Sequence, residues 1–460
     1  MIFLKDGCVP QKEFNIILVM IMKKHLLHSL ILVTFFMSSC SVQKHTGIAL
    51  QAKNSILDKP DFAPAHVGIS IYDPVEKKYL YNYQEAKYFV PASNTKLFSC
   101  YAALKNLKDS LVAFEYATQD DNIAVRFTGD PTFLHPDFKQ QRAYNFLQLN
   151  APIITLITPR WNAASFGSGW AWNDYDANYM PERSPMPIYG NLVRFEKKGN
   201  TLKVTPKVFK DSLYIFANMS EGNFSIDRDK NDNRFEVVKS NRKFTTAQIP
   251  FTVKKSIEDV SFNLLEDTLN RVLHFATELI DKNISWKKYY SQPTDSMLKI
   301  MMHESDNFFA EQTLLMVGNE KIGTMDDNKI IDTLLKSDFL GLPQKPKWVD
   351  GSGLSRYNLF TPQDFVWVLT QMKNEFSWER ITTILPTGNE GTLAGLYKNY
   401  EGKIYAKTGT LSYHVAISGY LLTNKGKQLI FSVMVNAHQT SASAIRKSIE
   451  QFLTGIIEQY

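Results

Sequence analysis

The sequence predicts an α+β protein whose main domain draws its antiparallel sheet from both ends of the chain and is interrupted by a strand-rich insertion. Three observations carry this reading. Two β-rich runs, "HVGISIYD" (66–73) and "KKYLYNYQ" (77–84), flank a turn at Asp73-Pro74 and read as a hairpin. Three more, "KIYAKTGT" (403–410), "YHVAISGYLLT" (413–423) and "QLIFSVMVNA" (428–437), follow one another near the end, the last two joined by a turn at Asn424-Lys425-Gly426. Between these groups the texture changes twice: helical at the flanks, short punctuated β-like runs in the middle.

The elements follow in order. Behind Pro91, the residues Leu97, Cys100, Tyr101 and Leu104 fall at i, i+3, i+4 and i+7, so a helix starts near Ser93 and buries one face. From 118 to 285, Gly, Asn, Asp and Lys separate runs such as "LKVTPKVF" (202–209) and "DSLYIFANM" (211–219). This inserted strand-rich region is expected to close on a helix, "LNRVLHFATELIDK" (269–282). From Thr294 a helix is expected over "DSMLKIMMHE", a break at Ser305–Asn307, and a second helix over "FFAEQTLLMV". "SASAIRKSIEQFLTGIIEQY" closes the chain as a helix. The expected division is 1–40 leader, 41–61 polar tether, 62–117 first part of the main domain, 118–285 insertion, and 286–460 second part.

Composition narrows the function classes. The chain has 460 residues, 44% hydrophobic, enough for two or three packed domains. A net charge of +6 with no Lys/Arg block speaks against a nucleic-acid-binding arm. Three cysteines (8, 40 and 100) make no disulfide framework and fit no zinc spacing, and nine histidines include no His-Glu-x-x-His, so neither a metal nor another cofactor is expected. "MKKHLLHSLILVTFFMSSC" (22–40) has a basic start, an apolar run from Leu26 to Met37, then small residues and Cys40. That is a secretory signal, too short for a comfortable membrane span. Its ending resembles a bacterial lipoprotein signal, in which Cys40 becomes the lipidated first residue; plain secretion is the competing reading. Residues 1–21 carry charges foreign to a signal, so translation is expected to start at Met22. The mature chain is expected on the periplasmic side, anchored to a membrane by its lipid.

Three short motifs carry chemistry. Ser-x-x-Lys occurs five times, but only Ser93–Lys96 opens an apolar helix behind a proline. Ser-x-Asn starts at Ser261 and Ser305, and Lys-Thr-Gly occurs once, at Lys407–Gly409. Residues three apart share a helix face, so Lys96 reaches the Ser93 hydroxyl, a poor nucleophile until a base takes its proton. A lysine serves as that base only when burial, neighbouring cations or a helix N-terminus lowers its pKa by roughly three units. Serine is also a good N-cap, but a capping box wants Glu or Gln where Lys96 stands. At the helix break, Ser305 is placed to relay a proton to a leaving amine and Asn307 to bind a peptide group. On the Lys407 strand, Gly409 lets a ligand backbone approach, and Lys407, Thr408 and Thr410 offer a carboxylate site. Backbone N–H groups of Ser93 and Thr410 form the expected oxyanion hole. No Gly-x-Ser-x-Gly elbow and no phosphate-binding glycine loop compete.

In this order the three motifs match the active-site set of β-lactamases and penicillin-binding proteins. Ser93 and Ser305 are 212 residues apart, a gap that large insertions would fill. With "TGDPTF" (128–133), "DGSGLSR" (350–356) and "LPTGNEGTL" (385–393), residues 60–460 resemble the class C low-molecular-mass penicillin-binding proteins, the D-alanyl-D-alanine carboxypeptidase/endopeptidase family of the penicillin-binding protein 4 type. The resemblance implies a transpeptidase-like α/β/α domain with an inserted domain. It implies peptidoglycan stem peptides as substrate, an acyl-enzyme on Ser93, and β-lactam antibiotics as inhibitors. It further implies that Asp174 and Arg356 contact the free end of a diaminopimelate side chain, with Tyr179 as an aromatic wall. A β-lactamase or esterase on the same scaffold, and a silent peptidoglycan-binding protein, are the alternatives.

Overall fold

The computed structural model describes residues 47–119, 121–150, 153–198, 201–216, 224–238, 244–253, 260–278 and 284–460. The expected leader, Cys40 and the first part of the tether lie outside the described residues. Residues 51–460 form one unit, to which the following refers.

A helical segment, Lys53–Leu57, with Ser55 and Ile56 buried, stands where a polar tether was expected. After it come β1 (His66–Asp73), β2 (Lys78–Tyr83), α1 (Lys96–Asn106), β3 (Ser110–Gln119), β4 (Asn122–Phe127), α2 (Arg142–Asn150) and β5 (Ile153–Ile157). Six short strands follow: β6 (Leu192–Lys198), β7 (Thr201–Thr205), β8 (Leu213–Phe216), β9 (Ser225–Arg228), β10 (Phe235–Val238) and β11 (Thr246–Pro250). Then come α3 (Ser261–Leu269), β12 (His274–Ala276), β13 (Lys287–Pro293), α4 (Thr294–His303), α5 (Asn307–Ile322) and α6 (Asp327–Leu335). The last are α7 (Pro362–Glu375), α8 (Trp378–Ile384), β14 (Ile404–Leu411), β15 (His414–Leu422), β16 (Gln428–Asn436) and α9 (Ala442–Gln459).

Both ends of the chain build one antiparallel sheet, ordered β14-β15-β16-β1-β2. The register pairs Ile69 with Val433 and Lys407 with Ser418. Alternation along each strand separates two faces. Ala416, Tyr420, Ile430 and Met434 face a core shared with α1, α4, α5 and α7. Val415 and Ile417 face the other way, where Ile449 of α9 lies. Helix α9 buries Ile445, Ile449, Phe452, Leu453, Ile456 and Ile457, a stripe at helical spacing. The result is a three-layer α/β/α domain.

Helix α1 departs from expectation. Every residue from Lys96 to Leu104 is buried, not one face only, because α5, α7 and the sheet enclose it. A helix that is covered all round is a core element, and its periodicity shows only one of the surfaces it meets.

The intervening region carries a mixed five-stranded sheet, β12-β5-β4-β3-β13, and two three-stranded sheets, β11-β6-β7 and β8-β10-β9. Phe114, Phe127, Phe133, Phe195, Phe235 and Phe251 centre its separate core. Its strands begin at Ser110 and end at Pro293, outside the 118–285 span read from texture, because β3 and β13 pair with each other at the junction. The helix expected over 269–282 is not there: α3 ends at Leu269, Asn270 turns left-handed (φ 51°), and β12 follows. Parallel pairing of His274–Ala276 with Thr155–Ile157 overrides the local periodicity.

Candidate active site

Ser93 sits on a tight turn, Ala92–Thr95, that leads into α1. It does not cap the helix: Thr95 holds the N-cap position, and no side chain caps there. The turn is held from the sheet side instead. Asn94 Nδ2 donates to Ser418 Oγ at 2.8 Å, and Ser418 Oγ donates to Ser432 Oγ at 2.8 Å. Strand β14 presses against the same turn. A Cβ on Gly409 would lie 2.5 Å from Pro91 O and 3.0 Å from the Ser93 nitrogen. The close backbone approach that Gly409 permits is therefore that of the Ser93 turn itself, rather than a ligand's. Gly353 (φ 82°) does the same from the opposite side, where a Cβ would collide with Ala92 O.

Lys96, the first residue of α1, is fully buried. Its Nζ donates to three acceptors: Ser93 Oγ at 3.1 Å, Asn307 Oδ1 at 2.6 Å and Ser352 O at 2.8 Å. Burial pulls its pKa from 10.5 to about 8, against the opposing pull of Asp306, Asp350 and Glu311. The partners define what happens on deprotonation. An amide oxygen and a backbone carbonyl only accept hydrogen bonds, so they must keep the two remaining N–H bonds. The lone pair then faces the one partner able to donate, the Ser93 hydroxyl.

Asn307 opens α5, with Asp306 as N-cap accepting from Phe309 N at 2.8 Å. The Asn307 amide bridges two parts of the chain, since its Nδ2 donates to Tyr179 O at 2.9 Å. Ser305 is half-buried at the break between α4 and α5, in a left-handed conformation (φ 59°). On β14, Lys407 is buried and donates to Thr408 O at 2.7 Å. Burial first, then the charges of Lys96 and Arg446, hold its pKa well below the usual lysine value. Thr408 is buried and Thr410 exposed.

A buried network unseen in the sequence holds the far wall. Asp350 accepts from Gly353 N at 2.8 Å, Ser355 N at 2.6 Å, Asn358 Nδ2 at 2.7 Å and Trp170 Nε1 at 3.0 Å. Glu311 accepts from Ser352 N at 2.7 Å and so aims the Ser352 carbonyl at Lys96. Its other oxygen meets Arg183, whose Nη1 lies 3.2 Å from Glu311 and 2.8 Å from Asp327, all three nearly inaccessible. Burial raises the Glu311 carboxyl to about 7. The available signal was a glutamate inside the apolar run "FFAEQTLLMV", one turn after Asn307.

The side chains of the remaining expected residues do not enter these contacts. Asp174 lies in a short turn, Trp172–Asp174, and accepts a hydrogen bond from the Tyr179 hydroxyl. Partial burial and then Asp174 push that hydroxyl to about 12. Arg356 is exposed and donates to Ser412 O at 3.2 Å, beside His414 Nδ1. Among the described residues, no hydrogen bond or ion pair joins Asp174 to Arg356. Lys96 is hydrogen-bonded to both Ser93 and Asn307, and Gly409 carries β14 against the Ser93 turn.

Comparison with known proteins gives consistent matches over most of the chain. The family model for "D-Ala-D-Ala carboxypeptidase 3 (S13) family" matches residues 49–456. The D-alanyl-D-alanine carboxypeptidase DacB of Haemophilus influenzae is 23% identical over 427 residues, covering 82% of this chain and 86% of that protein. A D-alanyl-D-alanine carboxypeptidase of an Actinomadura species is 24% identical over 452 residues, covering 85% of this chain and 81% of that one. The crystal structure of penicillin binding protein 4 from Haemophilus influenzae superposes with a TM-score of 0.68 at 21% identity, over 88% of this chain and 97% of that one.

Proposed function

The chain belongs to the D-Ala-D-Ala carboxypeptidase 3 (S13) family of serine peptidases, and on that premise we propose that it cleaves peptidoglycan stem peptides through an acyl-enzyme on Ser93. Neutral Lys96 takes the Ser93 proton as Oγ attacks the carbonyl of the penultimate D-Ala. The oxyanion is received by the N–H groups of Ser93 and Thr410. Ser305 passes a proton to the leaving amine, Asn307 holds a substrate amide, and Lys407, Thr408 and Thr410 receive the terminal carboxylate. Water then releases the acyl group. One removed oxyanion donor costs roughly 3 kcal/mol in comparable sites.

The observation that carries this reading is the Lys96 contact set: three acceptors, of which only the Ser93 hydroxyl is also a donor. Gly409 supports the oxyanion assignment, because a Cβ there would lie 3.0 Å from the Ser93 nitrogen, so β14 runs against the Ser93 turn one residue before Thr410. The leaving group is D-Ala in a carboxypeptidase cleavage and a neighbouring stem in an endopeptidase cleavage, and we assign both to this site. Penicillins acylate the same serine. Asp174 and Arg356 receive the zwitterionic end of a diaminopimelate side chain, an anion and a cation for a group carrying both charges, against the Tyr179 ring. The chain is exported and held at a membrane on the periplasmic side through Cys40.

Digestion of purified muropeptides, with products identified by mass, tests the reading. The expected products are stems shortened by one D-Ala and separated cross-linked dimers, both absent with Ser93→Ala. Rapid turnover of penicillin with intact muropeptides would make the chain a β-lactamase instead. Incorporation of labelled palmitate, lost in Cys40→Ala, tests the anchor.

A further inference from the structure

Strand β14 is an edge of the sheet, and a cation outside the three motifs stands on it. Arg446, in the second turn of α9, donates from Nη2 to Thr410 Oγ1 at 2.5 Å. Among the described residues it enters no ion pair. Its natural partner along the helix, Glu450 four residues on, is engaged elsewhere: that carboxylate accepts from Tyr397 N. Arg446 also stands close enough to Lys407 for the two charges to repel. Like charges placed together without an anion cost free energy unless a ligand brings one. The Thr410 hydroxyl points to the same ligand. Its oxygen already accepts from Arg446, so its own proton is available, and among the described residues it has no acceptor.

We propose that Arg446 is a specificity-determining residue: with the Thr410 hydroxyl, its guanidinium receives the terminal carboxylate of the residue that the enzyme releases. One carboxylate oxygen accepts from Thr410 and the other from a free guanidinium N–H, a planar pairing that Lys407, engaged with the Thr408 carbonyl, does not offer. The inference rests on the peptidase reading and deepens it. The site selects substrates with a free α-carboxylate on the leaving residue and discriminates against amidated ends.

The test compares a stem peptide ending in D-Ala-D-Ala with the same peptide as its C-terminal amide. kcat/KM is measured for wild type, Arg446→Ala and Arg446→Lys. Wild type prefers the acid. In Arg446→Ala the acid-to-amide ratio falls by about tenfold to a hundredfold, the range of a charge-assisted hydrogen bond, mainly through KM. Arg446→Lys, which keeps the charge but not the fork, falls between. An unchanged ratio in Arg446→Ala, or an equal loss on both peptides, overturns the assignment and leaves the peptidase reading standing. Wild type that cleaves neither peptide overturns both.

Discussion

Acylation of Ser93 is expected to follow the ionisation of Lys96, and the structure sets where. A lysine with its ordinary pKa of 10.5 would be neutral in about 0.03% of molecules at pH 7, whereas at about 8 the neutral share is roughly a tenth. Burial thus raises the population of competent base about 300-fold. The assay is the second-order rate constant for labelling by a fluorescent penicillin, measured from pH 5.5 to 10 with the label quantified on the denatured protein. The rate should rise tenfold per pH unit at low pH and bend near pH 8. Arginine at this place keeps its charge throughout, so Lys96→Arg should lose labelling by a factor of about a thousand or more at every pH. A rate that is flat from pH 6 to 9, or one that bends only above pH 10, would refute Lys96 as the base.

Three further outcomes follow from the packing. Arg183→Met strands Glu311 and Asp327 without a cation in the interior, at a cost of about 3–5 kcal/mol, read as a lower urea midpoint, and it should slow labelling through the Ser352 carbonyl. An unchanged midpoint would mean that the Arg183 pairing adds nothing to stability. Gly409→Ala places a methyl 2.5 Å from Pro91 O, so β14 must move off the Ser93 turn. Labelling should drop at least about a hundredfold with far-UV dichroism retained, because the oxyanion donors separate; normal labelling would show that the strand and turn are not coupled. Asp174→Ala and Arg356→Ala should each reduce the preference for stems bearing diaminopimelate over stems without it by about tenfold, and an unchanged preference in both would remove them from the site.

The residues in the contact set of Lys96 were legible in the sequence to different degrees. Ser93 and Asn307 were readable because helix geometry fixes one spacing and motif order fixes the other. The third acceptor, Ser352 O, is a backbone atom on a loop whose shape depends on Asp350, Glu311 and Gly353, so no side-chain pattern announces it. Arg183 reaches Glu311 from 128 positions away, a pairing that only the docking of the inserted region onto α5 creates. Lys96 looked out of place as a helix-start residue. It is buried in a helix covered on every side, and Ser93 lies two residues before that helix's N-cap, Thr95. The lesson from 269–282 is the reverse: helical spacing was present, and pairing with β5 outweighed it.

Ser93 is the residue that acylation should mark. Benzylpenicillin added at pH 8, followed by denaturation, proteolysis and mass analysis of the peptide containing "PASNTKLFSC", tests it most directly. One stoichiometric adduct is expected on Ser93, absent in Ser93→Ala. An adduct on another serine, or wild-type protein that takes up none, would contradict it.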